Sequence, residues 1–209
     1  MKNILLIGDS NRRGYDSAVK KTLEGIADVY FPEDNCRFAS YLLRYIGDYG
    51  ALIKNGTPDI IHWNAGLWDC LRQYGEDAHT PIEVYAYYIE RICLRIKKLY
   101  PNATVIFATS TSVISEKMAE GFKRYNKEIE EYNSAAVEIV KKHGFLIDDL
   151  YTVSTKLPES AHSDAVHYYT PEGTEAITNQ VLYSLAPHLD TDKELIYKED
   201  LYTDEPVGY

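Results

Sequence analysis

The sequence predicts one α/β domain with a five-stranded parallel sheet and helices on both faces. Three observations lead there. Short apolar runs recur five times along the 209 residues and alternate with longer segments whose apolar residues keep helical spacing, as strand–helix units do. The first run, Ile4 to Ile7, is apolar at every position, which suits a strand covered on both faces. The residues with chemistry to offer, Ser10, Asn64, Asp164 and His167, follow predicted strands, where open α/β sheets bind ligands.

The elements follow in order. Gly8 lets the backbone turn after the first strand, and Asp9 and Ser10 favour a turn or helix start, so Ser10 is delivered at the strand's carboxyl end. A helix is predicted over 16–27, with Ala18, Val19, Leu23 and Ile26 on one side. Asp28 to Phe31 reads as a second strand stopped by Pro32, and a helix follows over 39–49. The third strand runs from Pro58 to Trp63 and opens into Asn64-Ala65-Gly66-Leu67-Trp68-Asp69. Over 81–99, Ile82, Tyr85, Ile89, Cys93 and Ile96 share one helical face. Pro101-Asn102 turns the chain into a fourth strand over 104–108, and the hydroxyls of Thr109 to Ser112 then lie on the side of Ser10, within reach of a substrate. The charged stretch over 116–143 reads as one long helix with a solvated face. Gly144 ends it, a fifth strand occupies 145–148, and the last helix, over 171–186, has Thr170 as N-cap and Pro171 in its first position. The domain is placed at 1–188, with an acidic, tyrosine-rich tail over 189–209.

Ser10 gains meaning from the far end of the chain. Asp164 precedes His167 by three residues on a loop whose end is fixed by the last helix, close enough for a carboxylate to orient an imidazole. A serine hydroxyl is a poor nucleophile until a positioned base removes its proton, and this pair supplies the base and its orienting acid. A competing arrangement gathers His162, Asp164 and His167 around a cation, but nothing else in the chain completes such a site. Neither a metal nor another cofactor is expected.

With Gly8-Asp9-Ser10 near the start and Asp164-x-x-His167 near the end, the chain resembles the SGNH, or GDSL-type, hydrolases over residues 3 to about 186. The resemblance implies an α/β/α sandwich with flavodoxin-like strand order, ester hydrolysis, and a triad of Ser10, His167 and Asp164. It also implies an oxyanion hole formed by the amides of Ser10 and of a glycine after the second strand, and by an asparagine in a Gly-x-Asn-Asp block. Here the sequence departs from the family. Ser40 stands nearest the glycine position, with Ala39 beside it. Gly66 and Asp69 fit the second block, but Trp68 occupies the asparagine position. Asn64 is the local side chain that could replace that donor; otherwise backbone amides act alone. Asp9, Arg12 and Trp68 are expected at the substrate, Arg12 to meet a carbonyl or carboxylate and Trp68 to stack on a ring. Asn11 replaces the family's usual leucine after the serine and favours a polar substrate over a fatty acyl chain.

Composition narrows the partners. The net charge of −10, from 32 acidic and 22 basic residues without a basic tract, disfavours nucleic acid and anionic membranes. Three cysteines, Cys36, Cys70 and Cys93, form neither a disulfide framework nor a zinc motif and read as small apolar fillers. No leader or membrane-length apolar stretch is visible, so a cytoplasmic protein is expected. Nineteen tyrosines and the polar flanks of Ser10 point to a short-chain ester, above all an O-acetylated carbohydrate. The alternatives are a lipase, lysophospholipase or thioesterase of the same family, or a catalytically degenerate carbohydrate-binding member.

Overall fold

The computed structural model describes residues 1–198. Seven strands and six helices alternate: β1 (Lys2–Ile7), α1 (Ser10–Thr22), β2 (Ala27–Tyr30), α2 (Ala39–Gly50), β3 (Ile60–Trp63), β4 (Arg72–Gln73), α3 (Ile82–Leu99), β5 (Thr104–Ala108), β6 (Phe122–Lys123), α4 (Asn126–Lys142), β7 (Leu146–Asp148), α5 (Leu150–Ser154) and α6 (Pro171–Leu185). Five strands form one all-parallel sheet in the order β2-β1-β3-β5-β7, with Ile4 opposite Ile60 and Trp63 opposite Phe107. This is the flavodoxin-like order, and it brings the carboxyl ends of β1 and β3 side by side.

Both faces are covered, as the unbroken apolar run of β1 implies. Leu5 and Ile7 face the core beneath α2, α3 and α4, while Ile4 and Leu6 face the one beneath α1 and α6. The second layer carries a buried polar chain: His62 Nε2 lies 2.9 Å from Asp148 Oδ2, and Gln180 donates to Asp148 Oδ1 at 2.7 Å. Each partner satisfies the other, so these polar groups are tolerated between sheet and helices. The three cysteines are free and buried.

The structure departs from the sequence reading in three places. α1 begins at Ser10 rather than near residue 16, because the Asp9 side chain accepts a hydrogen bond from the Asn11 amide and caps the helix at once. The charged stretch after β5 is not one helix. Gly121 turns the chain at φ 75°, β6 pairs antiparallel with β4, and only then does α4 start. Asn126 fixes that start by bonding both the amide and the carbonyl of Val113, each at 2.9 Å. The third departure concerns Thr109 to Ser112, expected within reach of substrate. All four are buried: the hydroxyls of Thr109, Thr111 and Ser112 bond Asp149, Asn11 and Tyr168, while Ser110 bonds Asn133 through its backbone and its hydroxyl has no partner among the described residues.

Beyond α6 the chain folds back on the domain. Tyr197 is buried, and its amide and carbonyl bond the side chain of Asn179 in α6. Residues 199–209 of the expected tail lie outside the described residues. No described helix is long and apolar enough to cross a membrane.

Candidate active site

Ser10 occupies the first position of α1, directly beyond the carboxyl end of β1. Its Oγ lies 2.8 Å from Nε2 of His167, and Nδ1 of the same ring lies 2.6 Å from Oδ2 of Asp164. The chain thus joins residues 157 positions apart into one hydrogen-bonded line. The loop before α6 is built to hold it. Asp164 Oδ1 accepts the amides of Val166 at 2.7 Å and His167 at 2.9 Å, and the Ser163 amide donates to the His167 carbonyl at 2.9 Å. Thr170 caps α6 and donates its hydroxyl to the Ala161 carbonyl, which closes the loop. Partial burial alone would raise the Asp164 pKa. The bonds from the His167 ring and the two amides outweigh it and hold the carboxyl well below the usual range, so Asp164 is an anion at any working pH.

Tyr169 completes this side of the site, and sequence reasoning passed over it. Its hydroxyl donates to the Ser10 carbonyl, and its ring stacks on His167 with centroids 4.7 Å apart. The imidazole is held from both edge and face. A tyrosine two residues after a candidate base was a readable signal, hidden among nineteen tyrosines.

Two helix amino termini meet beside Ser10. Ser40 is the second residue of α2, and its amide, like that of Ser10, donates to no group among the described residues. The Ala39 amide is committed to the carboxylate of Asp69, at 3.0 and 3.3 Å. The Cys36 amide donates to the Gly8 carbonyl at 3.1 Å and ties the same segment to the turn before Ser10. Asn64 ends the third strand and is buried, its Oδ1 packed so closely on Gly8 that a Cβ there would lie 1.8 Å away. That Oδ1 has no partner among the described residues.

Asp9 and Arg12, expected at the substrate, are not there. Asp9 is fully buried beneath the turn, where burial raises its pKa against the opposing effects of the Asn64 side chain, the Asn11 amide and the charges of Arg124 and His167. Arg12 is 1% exposed, pairs with Asp16 one turn along α1 and donates to the Asp34 carbonyl. Because α1 already begins at Ser10, Arg12 lies in its first turn, with its side chain inward. Trp68 is half-buried at the rim and carries the guanidinium of Arg124 over its ring at 5.9 Å. His162 packs its ring on Tyr168 at 4.0 Å, and no group of His, Cys, Asp or Glu among the described residues is arranged to hold a metal ion.

Asp69 gives the site a pH signature. Burial lifts its carboxyl to about 7, opposed by the Ala39 amide and the Thr80 side chain. An unfolded chain releases that proton near 3.8 and the folded one only near 7, so between these values the folded state binds more protons and its stability falls as pH rises. Asp69→Asn cannot titrate. Its melting temperature relative to wild type should therefore climb from pH 4 to 7 and level off above; a difference that stays constant across this range would show that Asp69 ionises normally.

No protein-family model and no curated protein matches the sequence. Solved structures do match the fold. A lipase/acylhydrolase from Enterococcus faecalis superposes with a TM-score of 0.71 at 20% identity, covering 93% of this chain and 100% of that one. A putative GDSL-like lipase from Parabacteroides merdae gives 0.69 at 14% identity, covering 88% and 95%. The acetylxylan esterase Axe2 from Geobacillus stearothermophilus gives 0.66 at 15%, covering 93% and 96%. The chain shares the fold of these lipases and esterases. In that fold Ser10 lies where an open parallel sheet exposes its ligand site, at the carboxyl end of a central strand.

Proposed function

We propose that the chain is a serine esterase of the GDSL type that hydrolyses short-chain carboxylic esters, foremost O-acetyl groups on carbohydrate. The observation that carries this reading is the line from Ser10 Oγ through His167 to Asp164, at 2.8 and 2.6 Å. Ser10 attacks the ester carbonyl while His167 Nε2 takes its proton, and Asp164 keeps the other ring nitrogen protonated and pointed away from the serine. The tetrahedral intermediate places its negative charge by the free amides of Ser10 and Ser40 at two helix amino termini. Collapse expels the alcohol with the proton from His167, and a water then repeats the sequence on the acyl-enzyme. Support for a sugar ester comes from the aromatic edge beside the site, where Phe38, Tyr41 and His79 pack around the start of α2, and from fold relatives that include an acetylxylan esterase.

A fluorophosphonate probe should label Ser10 stoichiometrically, and para-nitrophenyl acetate should be turned over faster than the palmitate, with acetylated xylo-oligosaccharides as the following substrate. Absence of labelling in folded protein would sink the esterase reading. Labelling with a preference for long chains would redirect it to a lipase.

Asn64 is the side-chain donor in this scheme. The Asn64 side chain bonds the Asp9 carboxyl in this structure. As the donor it turns to the oxyanion when charge develops there, so Asn64→Ala should lower kcat about a hundred-fold and leave KM nearly unchanged, since that bond forms mainly in the transition state. A lowered melting temperature with normal kcat would instead make Asn64 a packing residue over Gly8 and leave the oxyanion to backbone amides.

A further inference from the structure

One buried cation beside the site has no counterion. Arg124 lies in the turn between β6 and α4 and is 3% exposed. Its Nε donates to the Leu67 carbonyl, and its guanidinium carbon sits 5.9 Å from the ring centre of Trp68 and 5.3 Å from that of Phe122. Two other arginines are matched, the buried Arg12 by Asp16 and the half-buried Arg72 by Glu128. Arg13, half-buried near Tyr169, forms no ion pair among the described residues but is far less enclosed than Arg124. No carboxylate pairs with Arg124 among the described residues, and neither of its Nη groups donates to a protein atom or is sealed from solvent. Its bond to Leu67 and its place over Trp68 seat it against the loop that follows β3, the loop that opens with Asn64. Burial pushes its pKa down, while Cys70, Asp9 and Asp164 oppose the shift.

A guanidinium stays charged at every working pH, so burying it without a partner is unfavourable unless a ligand brings the missing anion. Its remaining donors form a planar fork that fits a carboxylate edge-on. The negative charge of Asp164 penalises a doubly charged phosphate more than a singly charged carboxylate. The protein as a whole carries a charge of −10, so a general attraction for anions does not explain the arrangement.

We propose that Arg124 is the anion-binding group of this site and that the ester substrate carries a carboxylate close to the scissile bond. The proposal rests on the ester-hydrolase reading. The carboxylate can belong to the acyl or to the alcohol part, and two matched pairs of esters distinguish them. para-Nitrophenyl hydrogen succinate is compared with para-nitrophenyl butyrate, and para-acetoxybenzoate with its methyl ester. Wild type should prefer the charged member of one pair. Arg124→Gln should then lower kcat/KM for that member at least about tenfold more than for its neutral partner, chiefly through KM, which is the value of one charge-assisted hydrogen bond. Arg124→Lys, which keeps the charge but loses the fork, should fall between. Calorimetric binding of benzoate and of succinate to Ser10→Ala protein, with and without Arg124→Gln, reads the same site without turnover. No charge preference in either pair, together with no Arg124-dependent carboxylate binding, overturns the proposal. Equal losses for charged and neutral esters also overturn it, since Arg124 would then serve the oxyanion or the fold. Should Arg124→Gln fail to fold, the Arg124→Lys variant and the wild-type preference decide. Arg124-dependent carboxylate binding in a protein that hydrolyses neither pair would retain Arg124 as the anion-binding group and overturn the ester substrate together with the esterase reading.

Discussion

Ser10→Ala should lower ester hydrolysis by a factor on the order of 10⁵–10⁶, the loss seen when a triad nucleophile is removed. The variant should stay folded, because the Ser10 side chain bonds only His167. The helix it begins is capped by Asp9, whose bond to the Asn11 amide is untouched, and alanine is at least as good a helix residue as serine. The residual rate measures what the free amides at Ser10 and Ser40 contribute without covalent chemistry. Retention of more than a few per cent of activity in protein with a normal melting curve would remove Ser10 as nucleophile. Since the substitution leaves the main-chain amides and Asn64 in place, the variant should still bind a slowly hydrolysed ester with near-normal affinity, which makes it the form in which substrate contacts are best measured.

What was legible in the sequence and what was not follows from the range of the interactions involved. Strands such as Ile4–Ile7 and the amphipathic Ile82–Leu99 show their structure locally, through apolar pattern alone. The cap at Thr170 with Pro171 behind it is likewise a local signal and fixes where α6 begins. Asp9, Arg12 and Arg124 misled or went unread because a charged side chain is normally solvated. Only tertiary structure shows that Asp9 turns inward to cap α1, that Arg12 finds Asp16 and Asp34 beneath it, and that Arg124 is drawn across Trp68 by a ribbon of two residues per strand. That ribbon joins segments fifty residues apart and neither segment has a strand pattern of its own. Asn64 lies between these cases. Its place at the end of a central strand was visible, but its packing over Gly8 depends on the lateral register of β1 and β3.

The electrostatics of the site divide the labour among its acids. Asp164, held ionised by hydrogen bonds, is fit to stabilise an imidazolium. Asp69, pushed up to about 7 by burial, is spent on the amino terminus of α2, and Asp9 on that of α1. The amino termini of α1 and α2, which carry the unbonded amides of Ser10 and Ser40, are therefore each fixed by a buried carboxyl.

His167→Ala should be nearly as damaging as Ser10→Ala, and unlike it should respond to added base. The substitution leaves the loop's main-chain bonds in place: Asp164 can still accept the amides of residues 166 and 167, and the Ser163 amide still reaches the carbonyl at 167. It opens a ring-shaped gap between Ser10 and Tyr169, into which free imidazole can diffuse. Imidazole should thus restore part of the rate in His167→Ala and none in Ser10→Ala. Asp164→Asn works differently. An asparagine keeps an acceptor for the two amides but turns its NH₂ toward Nδ1, which forces the ring proton onto Nε2, where it faces the Ser10 hydroxyl and blocks proton removal. A loss of about 10⁴ is expected, with recovery as pH rises above the range in which wild type is already maximal. In wild type the rate should fall in acid, where a protonated base cannot take the Ser10 proton although Asp164 remains ionised. A rate that is flat from about pH 5 to 8, or a His167→Ala variant with wild-type activity, would mean that the line from Ser10 to Asp164 does not carry the reaction.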